Sequence, residues 1–174
     1  MVHIAAHATD LKLSEIAAAN ILAIIGGASI AGRLATGAFA DRVGSKLALI
    51  IAVSVLTVAL FWLQLADETW MFYLFAVIFG FGYGGMITLT SLLTADLFGL
   101  NSHGTILGTA FFFGTLGQAA GPFVAGSIFD TTGTYQPAFL ICSILGIISI
   151  ILSLLLRPCL LYTSPSPRDL STYR

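Results

Sequence analysis

Between residues 16 and 156 the chain is a succession of apolar runs, 16–39, 47–65, 70–95, 104–129 and 137–156, separated by short polar stretches. Each run is near or above the ~20 residues that a helix needs to cross a hydrocarbon core. In lipid the backbone must satisfy its own hydrogen bonds, which forbids most architectures. The pattern therefore predicts an all-α integral membrane fold of five spanning helices. The connections, 40–46, 66–69, 96–103 and 130–136, are short, so consecutive helices run antiparallel.

Composition agrees with that pattern. Charged residues are 9% of the chain and mean hydropathy is +0.99, against roughly 25% charged in an ordinary soluble domain. Net charge is -1, with no basic run and no basic and aromatic interleaving, so nucleic acid is not an expected partner. The stretch before the first run has neither a basic segment nor a cleavage site and does not read as a signal peptide. Cys142 and Cys159 are too few for a zinc site and poorly placed for a disulfide framework, so no metal or cofactor is expected. Arg42, Lys46 and Arg157 mark alternate connections from Asp67, Glu68 and Asp130, which puts the Arg42 connection and the C-terminal end in the cytoplasm. Trp70, Tyr73 and Tyr135 then fall at the outer interface, where amphipathic rings are favoured; Lys12, also outside, runs against the rule.

Small residues recur at helical spacing, as close helix packing in membranes requires: Ala28, Gly32 and Thr36 in the first run, Gly80 and Gly84 in the third, Gly117 and Gly121 in the fourth. Pro122 removes a backbone hydrogen bond and predicts a kink in the fourth helix. Tyr83, Thr88, Thr90, Ser91, Thr115 and Gln118 are polar groups within spans that either line a path or bond their own backbone. Gly80, Gly82 and Gly85 spell G-x-G-x-x-G inside a span with no preceding strand, which is not a nucleotide site. His3 and His7 stand one helical turn apart near the outer face and read as a solvated cap, with pH sensing the alternative, and His103 reads as a loop residue. No span carries an acid or a histidine in its middle, so membrane-embedded enzyme chemistry lacks its acids, bases and ligands.

Gly37, Asp41, Arg42, Gly44 and Lys46, spaced G-x-x-x-D-R-x-G-x-K, stand at the cytoplasmic end of the first run. Gly37 permits close helix approach, Asp41 can cap a neighbouring helix or pair with Arg42, and Gly44 suits a tight reversal that brings Lys46 to the lipid headgroups. The alternative is a positive-inside turn with incidental Asp and Gly. The motif resembles the signature loop of the major facilitator superfamily, whose members have twelve helices in two halves. The resemblance implies that the five runs correspond to helices eight to twelve, with residues 1–14 the outer end of a truncated seventh, and that the N-terminal half of the same transporter is missing. HATDLKLS before the first run, Asp96-Leu97-Phe98-Gly99, and Gly121-Pro122-Phe123-Val124-Ala125-Gly126 leading to FDTTGTY resemble the monocarboxylate-porter and oxalate/formate-antiporter branches.

Arg33 lies within the first run, where a cation costs ~2.5 to 3.5 kcal/mol unless it meets a cavity, a partner or the interface. In the resembling carboxylate transporters an arginine at this place binds the substrate carboxylate, a task that suits a planar fork donating two parallel bonds. The competing reading is a side chain that snorkels toward the loop. Two departures from the family pattern matter. Ser29 stands one turn earlier, where animal monocarboxylate porters carry an aspartate, and residues 104–129 contain no lysine or arginine to match the oxalate exchanger. One cation favours a monocarboxylate such as formate, lactate or pyruvate, carried as a small organic anion across the lipid bilayer by alternating access. The alternatives are a transporter of a neutral solute or drug, with Arg33 structural, and a non-transporting helical partner protein. Branch resemblance places the chain in a bacterial inner membrane.

Residues 159–174 break from the rest. CLLYTSPSPRD resembles one reading frame of a transposase adapter used in sequencing libraries, so the fold is expected to occupy 15–158 and the tail to be non-native; a native Ser/Pro-rich tail is the alternative.

Overall fold

The computed structural model describes residues 15–66 and 68–156. The readings of 1–14 with His3, His7 and Lys12, of Asp67, and of 157–174 with Arg157 and Cys159 lie outside the described residues. Five helices account for nearly all of the rest, α1 (Glu15–Val43), α2 (Ser45–Gln64), α3 (Thr69–Phe98), α4 (His103–Thr132) and α5 (Gln136–Leu155), and the described residues contain no strand. The 20-residue helices α2 and α5 are each about 30 Å long at ~1.5 Å per residue, the thickness of a hydrocarbon core. Helices α1, α2, α3 and α5 are long and apolar enough to cross a membrane. At 30 residues α4 is as long as α3, but its glycines and threonines make it less apolar.

The helices outrun the apolar runs. The first connection, expected at 40–46, shrinks to one residue: α1 continues through Asp41 and Arg42 to Val43, and α2 begins at Ser45. Charged residues end a hydrophobic run without ending a helix, because lysine, arginine and the backbone go on forming i to i−4 bonds in the interface. Gly44 makes the break, since its φ of 88° is a conformation that a side chain opposes. Its amide still donates to Ala40 O at 2.8 Å. Gly99 (φ 73°) and Gly133 (φ 69°) end α3 and α4 in the same way. Pro122 lies inside α4, which is continuous through it.

Helix α1 packs chiefly on α3, α3 on α2, and α2 on α5, while α4 touches α3 and α5 only lightly. The α1 to α3 seam is built from missing side chains. A Cβ at Gly80 would lie 2.5 Å from Ile25 O, and one at Gly84 or Gly32 would collide with the backbone of Ser29 or Phe81. At Gly85 it would meet Thr36 Cγ2 at 2.6 Å. Lipid is as apolar as leucine, so such close van der Waals contact, rather than escape from water, is what joins these helices. Gly117 and Gly121 differ: an added Cβ meets nothing described within 4 Å at either position. Among the described residues no helix packs there, and α4 buries none of its residues.

Two clusters of buried side chains sit at opposite ends of the bundle. Ile21, Leu63, Phe72, Phe75 and Phe139 centre one; Ala48, Leu49, Val53, Leu89 and Leu93 centre the other. Toward the first end Gln64 Nε2 donates to Ser143 Oγ at 3.0 Å, joining α2 to α5, and Ser143 Oγ donates to Phe139 O at 2.9 Å. Tyr135 stacks on Phe129 across the α4 to α5 turn with centroids 4.3 Å apart.

Candidate functional site

Arg33 is set by the seam. Gly32 and Thr36 turn toward α3, and Ala35, Thr36 and Phe39 line an apolar cavity of about 340 Å³ between α1, α2 and α3. Arg33 precedes Ala35 by two residues, about 200° around the helix, so it faces away from α2 and is exposed. Among the described residues the guanidinium has neither a hydrogen bond nor an ion pair. Gly26 and Gly37, close to its angular position on α1, have open space where a Cβ would stand. The result is an unspent cation in a membrane-spanning helix, with open space at the two glycines nearest its angular position.

The other residues singled out from the sequence are placed differently. Ser29 Oγ donates to Gly26 O at 2.7 Å, and the Ser29 backbone forms part of the seam. Tyr83 lies between Gly82, which faces Leu56 of α2, and Gly84, which faces Ser29 of α1. A residue between those two points to the third side of α3, about 100° from each. Its ring stacks on Phe79 with centroids 6.2 Å apart. Gln118 is exposed on α4. No hydrogen bond joins Arg33, Ser29, Tyr83 and Gln118 among the described residues. The hydroxyls of Thr90, Thr94 and Thr115 donate to their own helices, to Met86 O at 2.8 Å, Thr90 O at 2.7 Å and Phe112 O at 2.8 Å. Back-bonding of this kind spends the donor locally.

The signature residues depart from expectation in two places. Asp41 and Arg42 are exposed and make neither the cap nor the mutual pair among the described residues. Lys46, expected at the headgroups, caps a neighbouring helix: its ammonium donates to Leu154 O at 3.0 Å and also to Leu156 O at the exposed end of α5. The physical reason is that the last carbonyls of a helix lack internal partners and carry the negative end of its dipole. Beside it Ser45 Oγ donates to Asp96 Oδ2 at 2.5 Å, tying α2 to α3. His103 is the first residue of α4 rather than a loop residue. Its Nε2 is 3.3 Å from Ser91 Oγ, and its Nδ1 is buried without a partner. Sequence reasoning missed these ties. Ser45 fills a variable position of the motif, and nothing in the spacing says which helix end Lys46 will reach. No cluster of three or more His, Cys, Asp or Glu that could hold a metal occurs among the described residues.

The sequence model of the Major Facilitator Superfamily matches residues 1–171. Monocarboxylate transporter 12 of Rattus norvegicus is 29% identical over 155 residues, covering 87% of this chain and 32% of that protein. Human monocarboxylate transporter 7 is 29% identical over 154 residues, covering 86% of this chain and 29% of its own length. Multidrug resistance protein MdtG of Enterobacter lignolyticus is 28% identical over 121 residues, covering 70% and 29%. The chain thus spans about a third of the length of the curated relatives it matches. Mammalian proteins among them remove the reason for preferring a bacterial inner membrane.

Proposed function

Because the chain belongs to the Major Facilitator Superfamily, we propose that it is part of a secondary transporter that moves small monocarboxylates by alternating access, with Arg33 holding the substrate carboxylate. The observation that carries this reading is the unspent guanidinium. A charge within a span is retained where it meets a cavity, a partner or a substrate, and Arg33 has no partner among the described residues. It also turns away from the helix that fills the other flank of α1. A planar fork beside an open glycine surface leaves room for two parallel N–H···O bonds to one carboxylate.

The opposing wall of the site belongs to further helices of the same transporter, since substrate sites of this fold lie near the midplane between two halves. Helix α4 offers no second cation, so a single carboxylate is matched and a dianion is not. The relatives named as monocarboxylate transporters support the same substrate class.

Joined to the remaining helices of its transporter, the chain carrying Arg33→Gln should still insert in the membrane but lose carboxylate uptake by a factor of ten or more, each tenfold being about 1.4 kcal/mol. Uptake at the parental rate would refute the role of Arg33. The multidrug relative favours a second reading, a drug or neutral solute as cargo. Competition settles between them: formate, lactate and pyruvate should inhibit uptake through the intact transporter, and neutral solutes should not.

A further inference from the structure

Helix α4 is held differently at its two ends. At one, Phe129 stacks on Tyr135 with centroids 4.3 Å apart and packs against the buried cluster that contains Phe139. Along its length α4 buries no residue. At the other end its first residue, His103, reaches Ser91 of α3, with Nε2 3.3 Å from Oγ. Ser91 is unlike its neighbours: Thr90 and Thr94 donate back to Met86 O and Thr90 O of their own helix, whereas Ser91 Oγ meets the imidazole across the helix pair. One ring nitrogen is thereby matched. The other, Nδ1, is buried with no partner among the described residues.

A neutral imidazole has one N–H and one lone pair, so in either tautomer Nε2 can bond the Ser91 hydroxyl, as donor or as acceptor. Protonation puts an N–H on both nitrogens. Nδ1–H is then buried with nothing to accept it, and the new charge has no counterion. That charge also stands at the positive end of the α4 dipole, where the first turn holds no acid. The helices packed on α4, α3 and α5, offer no relief. Helix α5 has Cys142 as its one titratable side chain, α4 has none between His103 and Asp130 at its far end, and the 99–102 connection has none. On α3, Tyr73 and Tyr83 stand two turns or more before Ser91, and Asp96, about 140° around the helix from Ser91, accepts from Ser45 of α2. We propose that His103 is an acid-released latch: its neutral imidazole pins the start of α4 to α3, and its protonation frees that end, leaving α4 to swing on the Phe129 to Tyr135 stack. The latch depends neither on Arg33 nor on the cargo proposed above.

The sign follows from which form is docked. Docking is complete above the range in which a solvated imidazole titrates, near pH 6.5, and is lost as pH falls through it, the docked-to-released ratio dropping about tenfold one unit below. The test is electron–electron double resonance on the full chain in lipid nanodiscs, with Cys142 and Cys159 replaced by serine. Spin labels go on Val58→Cys of α2 and Thr105→Cys of α4, both exposed positions. At pH 8.0 one narrow distance is expected; at pH 5.5 a second, displaced population should appear at unchanged helicity and vanish when the pH is restored. His103→Gln, neutral at every pH and able to donate one N–H to Ser91, should hold the docked distance at both. His103→Arg, charged throughout, should show the released distance at both. The same distance distribution at pH 8.0 and pH 5.5 in the chain with His103 intact would overturn the proposal. So would a pH response that survives His103→Gln, by assigning it to another group, or a docked α4 in His103→Arg.

Discussion

A methyl group at Gly84 would drive into the Ser29 carbonyl, where both partners are backbone and neither side chain can rotate away. Gly84→Ala should therefore cost ~1–3 kcal/mol, as overpacking of a tight interface does. It should be read as a lowered midpoint of thermal unfolding followed by far-ultraviolet circular dichroism in detergent. Gly117→Ala is the contrasting case. Open space surrounds Gly117, so the outcome there lies between no change and a gain of about 1 kcal/mol from the lost helical penalty of glycine. Both glycines belong to the same four-residue spacing, and sequence alone gave them the same meaning. What separates them is whether a helix lies opposite, which local pattern does not encode. Arg33 is the reverse instance: its cost in lipid is legible from composition, and its orientation follows once Gly32 and Ala35 are known to face neighbours.

Among the elements, hydropathy located five helices and misplaced their ends, because it senses where lipid stops rather than where hydrogen bonding stops. The motif around Gly44 shows the difference most clearly. Asp41, Arg42 and Lys46 marked a loop by charge, yet they occupy helical turns on either side of a one-residue break. Links between elements were still less legible, since they join residues about 50 to 110 positions apart, such as Ser45 with Asp96 and Lys46 with Leu156. The Gln64 to Ser143 bond gives a testable element-level consequence. Gln64→Leu removes one neutral hydrogen bond between α2 and α5 and leaves Ser143 its bond to Phe139. It should cost ~0.5–1.5 kcal/mol, seen as faster amide exchange in the first turns of α5 with α1 and α3 unaffected.

At the scale of the whole bundle, the order of the five described helices and the alternation of their short connections fix which ends share a side. Single-cysteine variants in a background lacking Cys142 and Cys159 check the direction. Asp41→Cys and Asn101→Cys should react with an impermeant maleimide only from the cytoplasmic side, and Thr134→Cys only from outside. The reverse pattern would invert the positive-inside assignment. The proposed substrate site was legible only as one cation, Arg33, on one face. The face that would complete it is made by no described residue, so no reading of local pattern could have supplied its geometry.

Helix α4 has no buried residue and touches its neighbours lightly, and it is the one helix that falls short of the apolar standard met by the other four. During synthesis each segment is first weighed by the insertion machinery on its own hydrophobicity, and α4, like the Arg33-bearing α1, is less hydrophobic than α2, α3 and α5. Helix α5, strongly apolar and only a short turn later, follows it out of the ribosome. The pair would therefore enter together, with the later segment pulling the earlier one into the membrane. A stop placed after Thr132 would leave α4 outside the bilayer, while a stop after Leu156 would carry it across.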